Sequence, residues 1–374
     1  DELGLEEAAY SRCATRFRRF VFTFDGHFET ILEMPRCHGR DYLYGVDRAG
    51  FDALLWSRLE AHPGVDARAG VRVRALLRDD AGRVVGVEAI DEGGAREHRG
   101  RCVIGADGRF SLVARKAGAR VLEDVPLTST AYQAEWSGVA PALPDGEGGA
   151  QVVASGRGRN LLLFPAAPGR HFVVVHARSD RVDIGGDAQA YYDAQLASSE
   201  VVRRRLAGAE RCGPLVGVKR IANRYVEHAG DGWLLVGDAV HCKDPADGQG
   251  IYDALIEAKR LAPLLVEHLA GARSWASLSD AYGRALREET EAMFRTTCKR
   301  LKDDLYSEPP ALVIKTLIRW MMTDPEYTRR FLSYLSRVIP PDGWMTPGLV
   351  ARVVARGIAR DVRGLLRGRS STWP

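Results

Sequence analysis

Lysine is scarce: it accounts for seven of the 53 basic residues, and arginine supplies the rest. Against 49 acidic residues the formal charge is +4, too near balance for the broad positive field of a nucleic-acid-binding protein, and no nucleic-acid partner is expected. Cysteine is sparse as well. The six, at 13, 37, 102, 212, 242 and 298, never form C-x-x-C, so reduced thiols in a cytoplasmic protein are expected. His241-Cys242 and Cys37-His38 are adjacent pairs, the wrong spacing for metal ligands, and no metal site is expected. Long apolar runs are missing. The stretch 311–322 is broken by Lys315 and Arg319 and is too short and too charged to span a bilayer, so no integral membrane segment is expected. The opening Asp1-Glu2-Leu3-Gly4 has neither the basic nor the apolar region of a secretory signal. The 39 glycines and 17 prolines follow no strict period, which excludes collagen, and 45% hydrophobic residues exclude disorder. No G-x-x-x-x-G-K-[ST], G-x-S-x-G or G-x-G-x-x-G occurs. The nearest, Gly248-Gln249-Gly250-Ile251-Tyr252-Asp253, lacks its third glycine.

What is present reads as mixed helix and sheet over 374 residues, enough for two or three domains or one large fold. Residues 3–10 look like the end of a helix. Residues 19–24 and 27–33 read as a hairpin turning at Asp25-Gly26. A helix is expected over 48–62, with Phe51, Leu54, Leu55 and Leu59 at helical spacing. Residues 71–74 and 84–88 alternate like strands around a turn at 79–82. Residues 102–104 read as a short buried strand. The stretch 128–177 is strand-rich, most clearly as the pair 160–164 and 171–176. One helical piece follows at 188–207, a second buried strand at 233–236, a helix at about 250–270, and helix from 277 onward.

Two segments carry chemistry. Strand 102–105 runs into Ala106-Asp107-Gly108-Arg109-Phe110-Ser111. Strand 233–237 runs into Asp238, and a loop rich in Gly, Asp and Pro then opens the helix at Gly250. Both place an Asp at the carboxyl end of an apolar strand, where open α/β sheets bind ligands. A carboxylate there accepts bonds from sugar-like hydroxyls, glycines admit close backbone approach, and a helix N-terminus favours negative charge. The competing reading makes each Asp an ordinary helix cap or turn residue.

With these two segments the chain resembles the FAD-dependent aromatic hydroxylases of the para-hydroxybenzoate hydroxylase type, the class A flavin monooxygenases. Gly105-Ala106-Asp107-Gly108-Arg109-Phe110-Ser111 is similar to that family's DG motif. Gly237-Asp238-Ala239-Val240-His241, with Pro245 and Gly248-Gln249-Gly250-Ile251, is similar to its GD motif. Asp47-Arg48 and the helix after it resemble the element whose first-turn Arg or Gln contacts the flavin. The resemblance implies an α/β fold, α+β in total: a Rossmann-like FAD-binding domain (1–15, 38–125 and 225–270) interleaved with a β-sheet substrate domain (16–37 and 126–224), and a C-terminal helical region (271–374).

It also implies roles. Asp238 would bind the ribityl chain, and Asp107 with Gly108 would lie near the pyrophosphate. Arg48 would neutralise phosphate or ribityl oxygen. The backbone of Gly237 and of Gly248 to Ile251 would serve the flavin, and Pro245, the residue assigned to the catalytic face, would sit beside its ring on the side that meets oxygen. The implied reaction uses NAD(P)H and O2 to hydroxylate or epoxidise an electron-rich, aromatic or polycyclic small molecule through a flavin C4a-hydroperoxide. The sequence does not choose between a monomer and a homodimer.

Departures from the pattern are plain. The family's N-terminal β–α–β unit with G-x-G-x-x-G is expected ahead of Asp1. The sequence is therefore expected to be incomplete there, with the unit elsewhere, or to be a natural truncation that does not hold FAD. The family's Arg after the DG serine falls on Ala114, beside Arg115. Its Pro-Pro becomes Asp244-Pro245, and its Asn becomes Tyr252.

Tyr42, Tyr44, Tyr132, Gln133, Arg157, Phe164, His171 and His176 are candidates for a substrate surface, each with core or surface packing as the plainer reading. His241 is read as packing. Residues 351–369 place Arg352, Arg356, Arg360, Arg363 and Arg367 on one face, which a membrane surface or a polyketide carrier protein could use and which is read more plainly as the solvated basic side of a packed helix. Alternatives are a flavin reductase or dehydrogenase, a halogenase (no W-x-W-x-I-P is present) and a flavin-free binding relative.

Overall fold

A computed structural model describes residues 5–146 and 149–366. The chain divides into two compact units, one of residues 1–63, 129–220 and 302–374 and one of 64–128 and 221–301.

The first unit is built on a sheet. Strands Arg19–Phe24 and Phe28–Glu33 form the expected hairpin, with Gly26 at φ +73° in its turn. Strand Ala150–Ala154 runs parallel to Arg19–Phe24. Arg159–Pro165, Arg170–Arg178 and residues 129–137 continue the sheet antiparallel. Because side chains alternate across a strand, one face carries Tyr132, Ala134, Leu161, Leu163, Val173 and Val175. Helices Ala188–Ala197 and Glu200–Leu206 pack on that face. Fully buried Tyr192 pins them, donating to the Val173 carbonyl at 2.9 Å and accepting from Trp136 Nε1 at 3.0 Å. The sequence reads 188–207 as one helix. The structure breaks it at Ser198-Ser199, where the Ser198 hydroxyl donates to the Gln195 carbonyl at 2.6 Å. Helix Arg48–Glu60 starts at Asp47, whose carboxylate accepts from the N–H groups of Ala49 and Gly50. The helical tail is less continuous than expected, with π-helical turns at Lys302–Tyr306 and Ile314–Ile318 and irregular chain between Pro325–Leu335 and Pro347–Leu366.

The second unit holds both Asp-ending strands. Val103–Gly105 and Trp233–Leu235 pair in parallel, with Ala229–Gly230 beside the latter, and Arg72–Arg78, Val84–Asp91 and Gly94–Arg99 form an antiparallel meander. Helices Leu112–Ala117, Gly250–Leu269 and Trp275–Leu301 complete it. Leu234, Leu235, Leu278 and Tyr282 form the centre of its core, and Tyr282 donates to the Leu235 carbonyl at 2.8 Å. The short strand expected to be buried at 102–104 is instead partly open. Strand Val103–Gly105 is not buried: it pairs with Trp233–Leu235 on one edge, lines a cavity of about 450 Å³, and leaves Ile104 42% exposed.

Candidate functional site

The two motif loops meet within the second unit. Buried strand Trp233–Leu235 delivers Gly237, which takes φ +62°, a left-handed conformation that favours glycine. Asp238 follows, flanked by buried Gly237 and Ala239. Its carboxylate keeps 38% side-chain exposure and faces the Arg109 guanidinium of the other loop at 3.5 Å. The carboxylate is thus held at a strand end yet open to a ligand.

Asp107 is placed differently. Its Oδ2 accepts the N–H of Leu112 at 2.6 Å and of Val113 at 3.1 Å, and its Oδ1 accepts the Ser111 hydroxyl at 2.5 Å. Ser111 in turn caps helix Leu112–Ala117 through the Ala114 N–H. Asp107 therefore organises the helix start, as the capping alternative anticipates, while Gly108 beside it adopts φ +76°.

The loop after Asp238 is latched from beneath by groups the sequence reading left out. Glu257, on the buried side of helix Gly250–Leu269, accepts the Gly237 N–H through Oε2 at 2.5 Å, and its Oε1 lies 3.3 Å from His241 Nδ1. Burial pushes the Glu257 carboxyl up to about 7, against the opposing pull of the Gly237 N–H and of Lys243. His241 is buried, stacked on Tyr225 with centroids 4.5 Å apart, which fits packing. Lys243 pairs with Asp253 inside the protein. Asp244 donates its N–H to Asn223 Oδ1 at 2.7 Å, and its carboxylate caps the turn Pro245–Asp247 by accepting the Ala246 N–H. Asp247 accepts the Thr297 hydroxyl at 2.5 Å and pairs with Arg300. The sequence offers only a faint trace of these groups: Asp253 and Glu257 stand four apart, with Leu261 four further on, on one buried helix face, and nothing in that spacing names their partners.

The upper surface of the loop is open. Pro245 and Gly248 are exposed, Gly248 at φ +65°, while Gln249 is buried. Helix Gly250–Leu269 has no side-chain cap, and its exposed first turn presents Gly250 and Ile251, with Ile251 42% exposed. Uncapped N–H groups, a half-exposed carboxylate and bare apolar surface on one rigid loop fit a flat, hydroxyl-bearing, anionic cofactor of the FAD type.

Arg48 lies in the first unit, at the exposed start of its helix, pairing with Asp52 at 3.2 Å. Tyr42 and Tyr44 both donate to Glu7, which Arg16 also contacts at 2.7 Å. The hydroxyl bonds from Tyr44 and Tyr42 hold Glu7 below the usual carboxylate range. On the sheet, Gln133, Phe164 and His176 share the face opposite Tyr132, with Phe172 directly across from Phe164. Tyr132 is buried under the helices. His171 is pushed down to about 4 by burial and by the nearby Arg205, and Arg157 is exposed in a turn. The six cysteines are all free thiols.

Comparison with known proteins gives a consistent family. The chain is 32% identical over 270 residues to digeranylgeranylglycerophospholipid reductase 2 of Methanopyrus kandleri, covering 71% of this chain and 65% of that one. It is 30% identical over 237 residues to 6-methylpretetramide 4-monooxygenase of Streptomyces rimosus, 60% of this chain and 39% of that one. The chain thus spans less than two thirds of the length of both relatives. Among solved structures, the flavin-dependent brominase Bmp2 matches with a TM-score of 0.73 at 18% identity, covering 96% of this chain and 86% of that one, a likeness of fold. A family model described as "FAD binding domain" matches residues 1–297, and the chain belongs to that family of flavoproteins.

Proposed function

We propose that this chain forms part of an FAD-dependent monooxygenase that uses NAD(P)H and O2 on an electron-rich, aromatic or polycyclic small molecule. The observation that carries the reading is the open loop from Gly237 to Ile251, which joins an available carboxylate, two left-handed glycines and an uncapped helix start on a latched base. When bound, the flavin would supply two-electron chemistry and oxygen activation. Asp238 would accept hydroxyl bonds from the ribityl chain. The N–H groups at Gly250 and Ile251, with the helix dipole behind them, would stabilise negative charge on the pyrimidine side of the ring. Gly248 leaves room for close approach, and Pro245 would pack against the ring without offering a donor. Gly108 and the start of helix Leu112–Ala117 would lie towards the pyrophosphate, with Asp107 holding that turn. Arg48 would supply a fixed cation for phosphate or ribityl oxygen.

We further assign 1–15, 38–125 and 225–270 to flavin binding, 16–37 and 126–224 to the substrate side, and 271–374 to a helical region. The sheet face on which Gln133, Phe164 and Phe172 are half-buried, with His176 fully buried on the same side, is the candidate substrate surface. Its aromatic and amide side chains suit a flat ring with a polar edge.

A reductase is the second reading, favoured by the 32% identity to a lipid reductase over 71% of this chain. Oxygen uptake separates the two. The purified protein is expected to show the two-banded absorption of oxidised flavin. With substrate, it is expected to consume one O2 per NAD(P)H and per product. Product formation under strict anaerobiosis would overturn the monooxygenase reading in favour of the reductase. A protein that stays colourless when FAD is added would overturn both.

A further inference from the structure

Helix Pro347–Leu366 has its packed side fixed. Leu349, Val353 and Gly357 are buried, and a Cβ at Gly357 would fall 2.3 Å from the Trp320 ring. Asp361 receives Trp320 Nε1 at 2.9 Å and Arg319 at 2.6 Å, and Arg352 reaches Glu326 at 2.6 Å. On an ordinary surface helix the side away from these contacts is polar. Here it is aliphatic. Ala355, Ile358, Val362, Leu365 and Leu366 fall together at helical spacing, opposite Val353 and Gly357. Ile358 is 49% exposed, Val362 47%, Leu365 72% and Leu366 81%. Exposed Arg360 and Arg363 run along one flank of this strip.

Charge is concentrated on the same part of the chain. Residues 311–374 carry eleven Lys and Arg against four Asp and Glu. Of the formal +4, this stretch therefore supplies +7 and residues 1–310 supply −3.

We propose that the outward face of helix Pro347–Leu366 docks the protein on an anionic lipid surface. An interfacial helix needs a continuous apolar strip to sink to the headgroup boundary and cations beside it to meet lipid phosphates. Both are present, on a helix already anchored by its other side. No helix among the described residues is long and apolar enough to cross a membrane, so the contact is parallel to the surface. A second copy is a poorer occupant, because it would bring the same +7 stretch against itself. An acidic protein would answer the charge, but the strip is convex and aliphatic and presents neither a groove nor hydrogen-bonding groups along its middle. A bilayer requires neither. The proposal does not depend on the flavin reading.

The test is flotation of the full chain with phosphatidylcholine vesicles containing about one third phosphatidylglycerol. The protein is expected to float with these vesicles, much less with pure phosphatidylcholine, and less as salt rises. Ile358→Ser with Val362→Ser is expected to lower the bound fraction about tenfold, since two aliphatic side chains leave the interface. Both positions are about half exposed, so the melting temperature should hold. Arg363→Glu is expected to weaken binding and flatten its salt dependence. Absence of flotation, or equal flotation of the double serine variant, would overturn the proposal. So would capture of an acidic carrier protein, or self-association through this face, in protein that ignores the vesicles.

Discussion

At position 257 one carboxyl group both holds the loop and answers to pH. Glu257 is almost wholly buried, accepts the Gly237 N–H and faces His241, and burial places its pKa at about 7. The folded protein then holds a proton that the unfolded chain has released. That contribution is fully present below the ordinary carboxylate value and is lost as pH rises through about 7. Glu257→Gln keeps an oxygen for Gly237 but cannot ionise. The wild type should therefore lose stability relative to the variant between about pH 4.5 and 7, by on the order of 2–3 kcal/mol. Urea unfolding across that range reads it, and parallel curves would refute it. Asp238 predicts the reverse pattern, loss of ligand without loss of fold. Its ion pair with Arg109 is half-exposed and contributes little to stability. A charge-assisted bond to a ribityl hydroxyl contributes about 1.5–3 kcal/mol. Asp238→Ala should weaken flavin binding roughly ten- to hundredfold while the melting point of the flavin-free protein stays within a degree or two. Fluorescence titration with FAD measures the first quantity, and an unchanged affinity would remove Asp238 from the cofactor site.

Among the elements, the loop between strand Trp233–Leu235 and helix Gly250–Leu269 is held by paired charges as well as by the apolar contacts of Ala239 and Val240. Lys243 and Asp253 are each at least nine-tenths buried and bond to one another. Removing one partner strands the other charge, a loss of about 3–5 kcal/mol. Lys243→Ala should destabilise by that order and loosen flavin binding. Lys243→Met combined with Asp253→Leu should recover much of the stability, because the pair's desolvation cost disappears with it. A double variant no more stable than Lys243→Ala alone would show the pair to be stabilising in itself. The two Asp-ending strands, the hairpin at Asp25-Gly26 and the helix after Asp47 were legible in the sequence because each is a local pattern of period, turn and cap. The latch under the loop was not. Glu257 reads as one more charge on an amphipathic helix until the fold brings Gly237 to it, and the Asp247 pairing joins residues 53 positions apart. Exposure escaped the reading for the same reason. An apolar run makes Val103–Gly105 a strand, but whether it is covered depends on neighbours. Arginine spacing makes 351–366 amphipathic, yet the tertiary packing decides which side turns outward.

For the whole molecule, the two units are woven from five stretches of chain, and of the four crossings only the one at Pro63-Gly64 leaves a trace in composition. Two of them, at 128/129 and 220/221, fall inside the continuous strands Val121–Ser137 and Val216–Val226, and a third follows helix Trp275–Leu301 directly into the turn at Lys302. A boundary inside a strand has no Gly, Pro or Ser linker to announce it. Interleaving also predicts how the first unit behaves when cut. Residues 129–220 hold most of its sheet strands and both covering helices, the makings of an independent domain. The strand Ala150–Ala154, however, pairs over its whole length with Arg19–Phe24, and that hairpin contributes buried Val21 and Phe24. A fragment of 129–220 would present an apolar edge with its backbone groups unpaired, the condition for edge-to-edge aggregation. Expressed alone, it should be insoluble or unfold without a cooperative transition. Co-expression with 1–63 should raise its soluble yield several-fold, since the missing strand adds about a dozen residues of hairpin to a sheet otherwise ready to accept them. Cooperative unfolding of 129–220 by itself, followed by circular dichroism, would mean that the hairpin is an accessory to this sheet rather than part of its core.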